Sequence, residues 1–265
     1  MLVHSRFARL LLQTVFLALF LPVFALPLLV VLAASFATRW SGALPSGATL
    51  AHYRDLAGGG ALQALGTSVL TALAASVLAL AAGTWAALAA RRLPRRARRV
   101  VDALFVLPVA VPSVVVGLAL LVAFSRPPLL LNGTPQIVVA AHAVLVTAFA
   151  HQSVAAALTR LDPACAEAAA SLGARPAYVL WRVELPLLLP SLGAAAGLCF
   201  ALSMGELSAT MMLYPPDWLP LPVKIFAATD RGALFAGAAL AVVLMAATLL
   251  ALFGVSRIRN RSSCR

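Results

Sequence analysis

EAAASLGARPAYVLWRVELP, residues 167–186, opens with one acid and a run of alanines, turns at a glycine, and passes through Leu185-Pro186 into an apolar stretch. Just ahead of it, Asp162-Pro163 is a helix start: Asp caps, and Pro occupies the first position, where no N–H is needed. Gly173 predicts the end of that helix and Pro176 the start of a second short one. Neither piece is long enough to cross a bilayer, and neither is polar enough for a free loop. The chain around this hairpin says what kind of molecule carries it.

That chain is 63% hydrophobic and only 11% charged, far from the soluble average. Apolar segments recur at about 10–36, 61–90, 100–124, 136–158, 187–213 and 233–255. Each can cross a ~30 Å hydrocarbon core as a helix, so the sequence predicts an all-α polytopic membrane protein with six spans. The first segment is too long, and lacks a convincing cleavage site, for a signal peptide. Span two carries Gly66 and Gly83, which permit close helix approach in lipid. Span three contains Pro108 and Pro112, which loosen backbone hydrogen bonding at its entry. Between spans, Thr49 is placed to cap a short helix ending in glycines 58–60, and 221–230 reads as a short interfacial helix.

A net charge of +12 raises the question of nucleic acid. Its distribution answers otherwise. Arg6 and Arg9, the six arginines of RRLPRRARR (91–99), Arg160, Arg175 and Arg182, and the four arginines of the 257–265 tail fall on one side of an alternating six-span topology. The other side holds Arg39, Arg54, Arg126, Lys224 and Arg231. The positive-inside rule then predicts both termini in the cytoplasm, and no nucleic-acid partner is expected. The density of 91–99 reads as a topology anchor. The cysteines Cys165, Cys199 and Cys264 form no disulfide framework.

Absent chemistry narrows the function. Lys224 is the only lysine and follows Val223, so there is no GxxxxGK[ST] phosphate loop. There is no HExxH, no Cys/His set with metal-ligand spacing, and no Gly-x-Ser-x-Gly elbow. His142 and His151, in or near span four, read as satisfied structural histidines rather than a proton relay. The chain is not expected to be an enzyme or to hold a cofactor; energy must come from another subunit or an ion gradient.

Glu167-Ala168-Ala169, three residues, Gly173, nine residues, then Val183-x-Leu185-Pro186 resembles the EAA loop of permease subunits of bacterial ATP-binding-cassette importers, with Val where Ile is commoner. The resemblance implies the type I importer permease fold and a hairpin, 162–185, that docks a separate ATPase. Its coupling residues would be Glu167, Ala168, Ala169, Gly173, Tyr178, Leu185 and Pro186. Alanines leave a narrow helix that seats in a groove, Glu167 offers a charged acceptor, Gly173 permits the reversal, and Tyr178 adds an apolar face. The bare alternative, an interfacial connector, fits composition but not the fixed spacing.

SMGELSATMML (203–213) resembles the corresponding span of sulfate, molybdate, ferric-ion and phosphonate-type permeases. Glu206 sits about seven residues, or ~10 Å, from the outer end of that span, as the one acid deep within a span. A carboxylate there is costly and marks a functional candidate, so Gly205, Glu206, Pro108 and Pro112 are the predicted gate and pathway residues. Glu206 is expected to brace the bundle rather than bind a substrate amine. Stretches 40–53, 107–125, 203–218 and 221–232 resemble permeases of 2-aminoethylphosphonate importers.

The implied assembly is an ABC ATPase dimer using ATP and Mg, a sister permease in a heterodimer or homodimer, a periplasmic substrate-binding protein, and membrane lipid. The expected organisation is a first helix with outer segment (1–60), a permease core (61–256) and a basic tail (257–265). The competing readings are a gradient-driven secondary transporter, or the same kind of permease for sulfate, molybdate, ferric ion or thiamine.

Overall fold

The computed structural model describes residues 6–42, 45–58 and 60–262. In chain order the elements begin with α1 (Arg6–Ser35), a small antiparallel hairpin of β1 (Ala37–Arg39) and β2 (Ser46–Ala48), α2 (Ala51–Gly58) and α3 (Ala61–Ala90). There follow α4 (Arg95–Ala110), α5 (Ser113–Ala123), α6 (Pro135–Leu158), α7 (Pro163–Ser171) and α8 (Pro176–Val179). After a π-helical turn at Leu180–Glu184 come α9 (Leu185–Met204), α10 (Ser208–Leu213), α11 (Leu221–Asp230) and α12 (Leu234–Ser262). Among the described residues five helical runs are long and apolar enough to cross a membrane, and six if the bent pair α4–α5 counts as one span. The fold is an all-α polytopic membrane protein.

Two of the six predicted spans need correction. The third is not one helix over 100–124: α4 and α5 meet at 102°. Pro112 disfavours the helical conformation in the residue before it, and Val111 is extended at φ −100°, ψ 134°. Pro108, by contrast, lies inside α4 without ending it, so the break falls within the span and not at its entry. The fifth span does not run unbroken from 187 to 213. It ends at Met204, and α10 restarts at Ser208.

The chain packs as two compact units, one of residues to 62 with 224–243, the other of 63–223 with 244 onward. In the first, Thr49 Oγ1 accepts from Ala51 N–H at 3.1 Å and starts α2. Tyr53 donates to Ser35 Oγ at 2.7 Å, and His52 Nε2 lies 2.9 Å from Ala37 O, holding α2 against the end of α1 and the strands. The most apolar 18-residue stretch of α1 has no buried residue and presents Leu, Val and Phe fit for lipid.

In the second unit, α6 is central. Ile137, Val138 and Ala141 bury against Ala209 and Leu213 of α10, with Leu120 and Leu121 of α5 beside them. Further along, Val146 and Ala150 meet Ala79 of α3 and Cys199 of α9. Phe200 and Met204 of α9 close on Ala72 of α3 and on Leu244 and Ala247 of α12. These seams use small residues because helices in lipid gain little from hydrophobic exclusion and must approach closely. A Cβ on Gly83 would lie 2.7 Å from the backbone N of His151. On Gly117 it would lie 2.9 Å from Cα of Ala209. Gly66 has nothing within 4 Å, so it does not serve the close approach expected of it.

Candidate translocation cavity and coupling hairpin

The hairpin forms as its residues dictate. Asp162 Oδ1 accepts from Ala164 N–H at 3.0 Å, and Pro163 begins α7. At the other end, Gly173 sits at φ +85°. Its N–H donates to Ala170 O at 2.9 Å, and Ala174 N–H donates to Ala169 O at 3.1 Å. This pair of bonds is a complete Schellman closure, which requires the left-handed residue that glycine supplies. Glu167, Ala168 and Tyr178 are exposed, and Ala169, Gly173 and Tyr178 share a surface hollow of about 430 Å³. Leu172 projects beside it almost fully exposed.

The second arm corrects the expectation of a separate short helix. From Pro176 to Met204 the chain is one helical run of 29 residues, α8, the π-turn and α9 end to end. The π-turn has a local cause. Pro186 has no N–H to give the carbonyl four residues back, and the ring crowds it. The helix widens there: Leu185 N–H reaches Leu180 O, five residues back. Leu185 and Pro186 thus join the hairpin to the membrane helix as a single rod.

The far end of that rod reaches an open cavity of about 460 Å³. Pro108, Pro112 and Glu206 all line it, with His142, Ser203, Ser113 and Phe149. Three of the four predicted gate residues are therefore brought together, from α4, the α4–α5 break and the α9–α10 break. Gly205 lies beside them but does not line the cavity. It ends α9 at φ −94°, ψ 0°, with no neighbour nearer than 3.8 Å to a Cβ, so its backbone does not require glycine.

Glu206 is a break residue and not a mid-helix carboxylate. Its Oε1 accepts from Ala209 N–H at 2.9 Å, taking up a free amide of α10's first turn. Its carbonyl accepts from Thr210 Oγ1 at 3.1 Å. His142 then joins the two halves of the broken span: Nδ1 is 2.7 Å from Ser203 Oγ on α9, and Nε2 is 2.8 Å from Thr210 Oγ1 on α10. Since Thr210 gives its proton to the Glu206 carbonyl, it accepts from Nε2–H, and Nδ1 accepts from Ser203. One tautomer satisfies the set, as a buried polar group requires. His142 is the structural histidine the sequence suggests, but Ser203 and Thr210 are not among the sequence-predicted residues; their placement three before and four after Glu206 is the signal available.

A second polar group lies near the start of the third span, on α4. Asp102 of α4 accepts from His151 Nε2 of α6 at 2.9 Å and lies 3.8 Å from Arg98. Phe105 stacks on the His151 ring at 4.6 Å. His151 Nδ1 has no partner among the described residues. Arg91, just past α3, pairs with Glu184 in the π-turn. Two of the six arginines of 91–99 are thus ion-pair partners as well as charges at the end of a span. Cys165 is exposed, Cys199 buried, and Cys264 lies outside the described residues. No metal-ligating cluster exists among the described residues.

The family described as "Binding-protein-dependent transport system inner membrane component" matches residues 79–261. The chain is 47% identical over 243 residues, 92% of each protein, to the Salmonella typhimurium permease protein PhnV, named for a 2-aminoethylphosphonate transport system. It is 36% identical over 170 residues, 58% of this chain and 64% of the relative, to the Mycobacterium tuberculosis molybdenum transport system permease protein ModB. Among solved structures, a chain of a bacterial alginate ABC transporter superposes with a TM-score of 0.75 at 16% identity, covering 96% of this chain and 93% of that one. A chain of the MetNI methionine ABC transporter gives 0.64 at 17% identity, covering 76% and 95%.

Proposed function

Since the chain belongs to the family of binding-protein-dependent transport system inner-membrane components, and is a permease subunit of an ABC importer rather than a catalytic enzyme, we propose that it forms half the pathway for 2-aminoethylphosphonate, with hairpin 162–185 as the seat of the ATPase. Family membership sets aside the gradient-driven alternative. The substrate reading rests on the resemblance to PhnV over nine-tenths of both chains.

One observation carries the mechanism: the hairpin and the cavity are the two ends of one helical rod. From Pro176 to Met204 it measures ~43 Å at 1.5 Å per residue. In this reading the ATPase dimer grips α7 through Glu167, Ala168 and Ala169, with Tyr178 against its surface. Nucleotide closes that dimer and displaces the rod. Displacement at Met204 acts on the break, where Glu206 caps α10 and His142 bridges Ser203 to Thr210. The cavity walls formed by Pro108 and Pro112 then move relative to those formed by α6 and α9. Such a cycle works only if nucleotide favours one arrangement over the other, since a ligand with equal affinity for both shifts nothing.

Six spans enclose half a pathway, so a sister permease supplies the facing wall, as a heterodimer or homodimer. The arginine-rich side, hairpin included, faces the cytoplasm with both termini. A periplasmic binding protein delivers substrate to the outer segments 41–60 and 214–232 and sets most of the selectivity. Glu206 braces the break; its capping bond supports that role over a bond to the substrate ammonium.

Two measurements test this. The partner ATPase should copurify with the wild-type chain, and Glu167→Arg should release it while the permease still inserts. Cells should accumulate radiolabelled 2-aminoethylphosphonate only when this subunit is present. Accumulation of another oxyanion in its place would retain the permease and overturn the substrate.

A further inference from the structure

We propose that the Arg91–Glu184 ion pair is a positioning element that clamps the hairpin end of the α8–α9 rod to α3, so that the two move as one body when the hairpin is driven. This rests on the reading of the hairpin as the ATPase seat. Arg91 Nη2 donates to Glu184 Oε2 across 93 positions of sequence. Among the described residues no other hydrogen bond or ion pair joins α3 or its trailing turn to residues 162–184. A cleft of about 290 Å³, walled by Trp85, Leu88, Arg92 and Leu180, separates the two elements beside the pair. The clamp is therefore electrostatic at a place where apolar packing is incomplete.

Placement argues that the pair does more than decorate a surface. The Glu184 side chain is 12% exposed and that of Arg91 32%, so water and salt screen the pair less than an open surface contact. Glu184 is the last residue of the π-turn, the point where the rod is widest and its α-bonding interrupted. A rod pushed at the hairpin would bend there unless it were braced from outside. The brace runs to α3, whose Ala72 and Ala79 pack on α9 and α6 deep in the bundle. Force entering at α7 thus has two routes inward, along α9 and, through Arg91, along α3.

The test uses the complete importer in proteoliposomes with Arg91→Glu, Glu184→Arg and the double swap. Transport of radiolabelled 2-aminoethylphosphonate per ATP hydrolysed should fall at least tenfold in each single variant, with the ATPase still bound, and recover to within about threefold in the swap. Spin labels on Leu78→Cys of α3 and Leu189→Cys of α9, in a background without native cysteines, give a readout independent of substrate. Their spacing should be the same in nucleotide-free and vanadate-trapped states of the wild-type pair and the swap, and should differ between those states in the single variants. Should charge reversal block insertion, Glu184→Gln carries the same test. A spacing that changes in the wild type, single variants that transport with unchanged ATP cost, or loss of ATPase binding in the singles would each overturn the clamp. Failure of the wild-type chain to bind the ATPase would instead count against the hairpin reading.

Discussion

Replacing Gly173 by alanine isolates one physical quantity at the hairpin. The residue stands at φ +85° and has nothing within 4 Å of a built Cβ, so the substitution meets no steric obstacle. What remains is the cost of holding an L-residue in the left-handed region, about 1–2 kcal/mol. Both closing bonds, Gly173 N–H to Ala170 O and Ala174 N–H to Ala169 O, depend on that conformation. Opening of the turn should therefore become roughly 5–30 times more frequent. Asparagine, which tolerates the same region, should cost roughly half as much. Proline fixes φ near −65° and also removes the N–H to Ala170, so it should exceed alanine by about 1 kcal/mol or more. Amide exchange read by mass spectrometry on peptides covering 163–180 measures opening directly, without the partner ATPase. The expected order of exchange rates is Gly, Asn, Ala, Pro, with peptides of α6 unchanged. Equal rates for Gly and Ala would refute the left-handed closure.

The bundle offers a matched pair of glycines: Gly117→Ala drives a Cβ to 2.9 Å from Ala209 backbone and should cost about 1–3 kcal/mol, whereas Gly66→Ala enters open space and should be neutral or better. The temperature of half-loss of monodisperse protein in detergent separates them. Glu206→Gln keeps an oxygen for Ala209 N–H and should retain most uptake, while Glu206→Leu loses a cap worth about 1 kcal/mol and should lose more; equal loss would assign the role to charge. His142→Phe and Ser203→Ala share a 2.7 Å bond, so a double-mutant cycle on stability should show coupling of roughly 0.5–3 kcal/mol, and additive losses would deny the bond.

How much could be read beforehand follows from how local each feature is. The caps Asp162 and Thr49, the turn at Gly173, and the bounds of α11 each depend on a few neighbouring residues, and each stands where its residue type puts it. Span three shows the opposite. Pro108 and Pro112 are the same residue four positions apart, yet one stays in a helix and the other ends it. A proline frees backbone groups, and whether the chain then bends depends on its surroundings; past the bend, α5 packs on α6 and α10 through Leu120 and Leu121. Asp102–His151, Arg91–Glu184 and His142–Thr210 join residues 49, 93 and 68 positions apart, and no local pattern announces such pairs. The candidate gate residues fall between these cases. Glu206 was conspicuous by its cost in an apolar span, but its role as a cap became visible only with the break.

Both ends of α9 depart from regular helix, and for different reasons. At the hairpin end Pro186 withholds a donor, and the turn before it widens to a π-helix. At the cavity end no proline intervenes, and Gly205 adopts a conformation open to other residues. There the break is held by side chains, Glu206 within it capping α10 and His142 of α6 bridging α9 to α10. A break held by side chains is adjustable in a way that one imposed by a ring is not: its bonds can be exchanged at about 1 kcal/mol each, whereas proline cannot regain its N–H. The twenty residues between are a helix of ~30 Å that continues through Pro190 without ending. In the proposed cycle, motion delivered at the hairpin would pass through a fixed articulation and act at an adjustable one, beside the cavity.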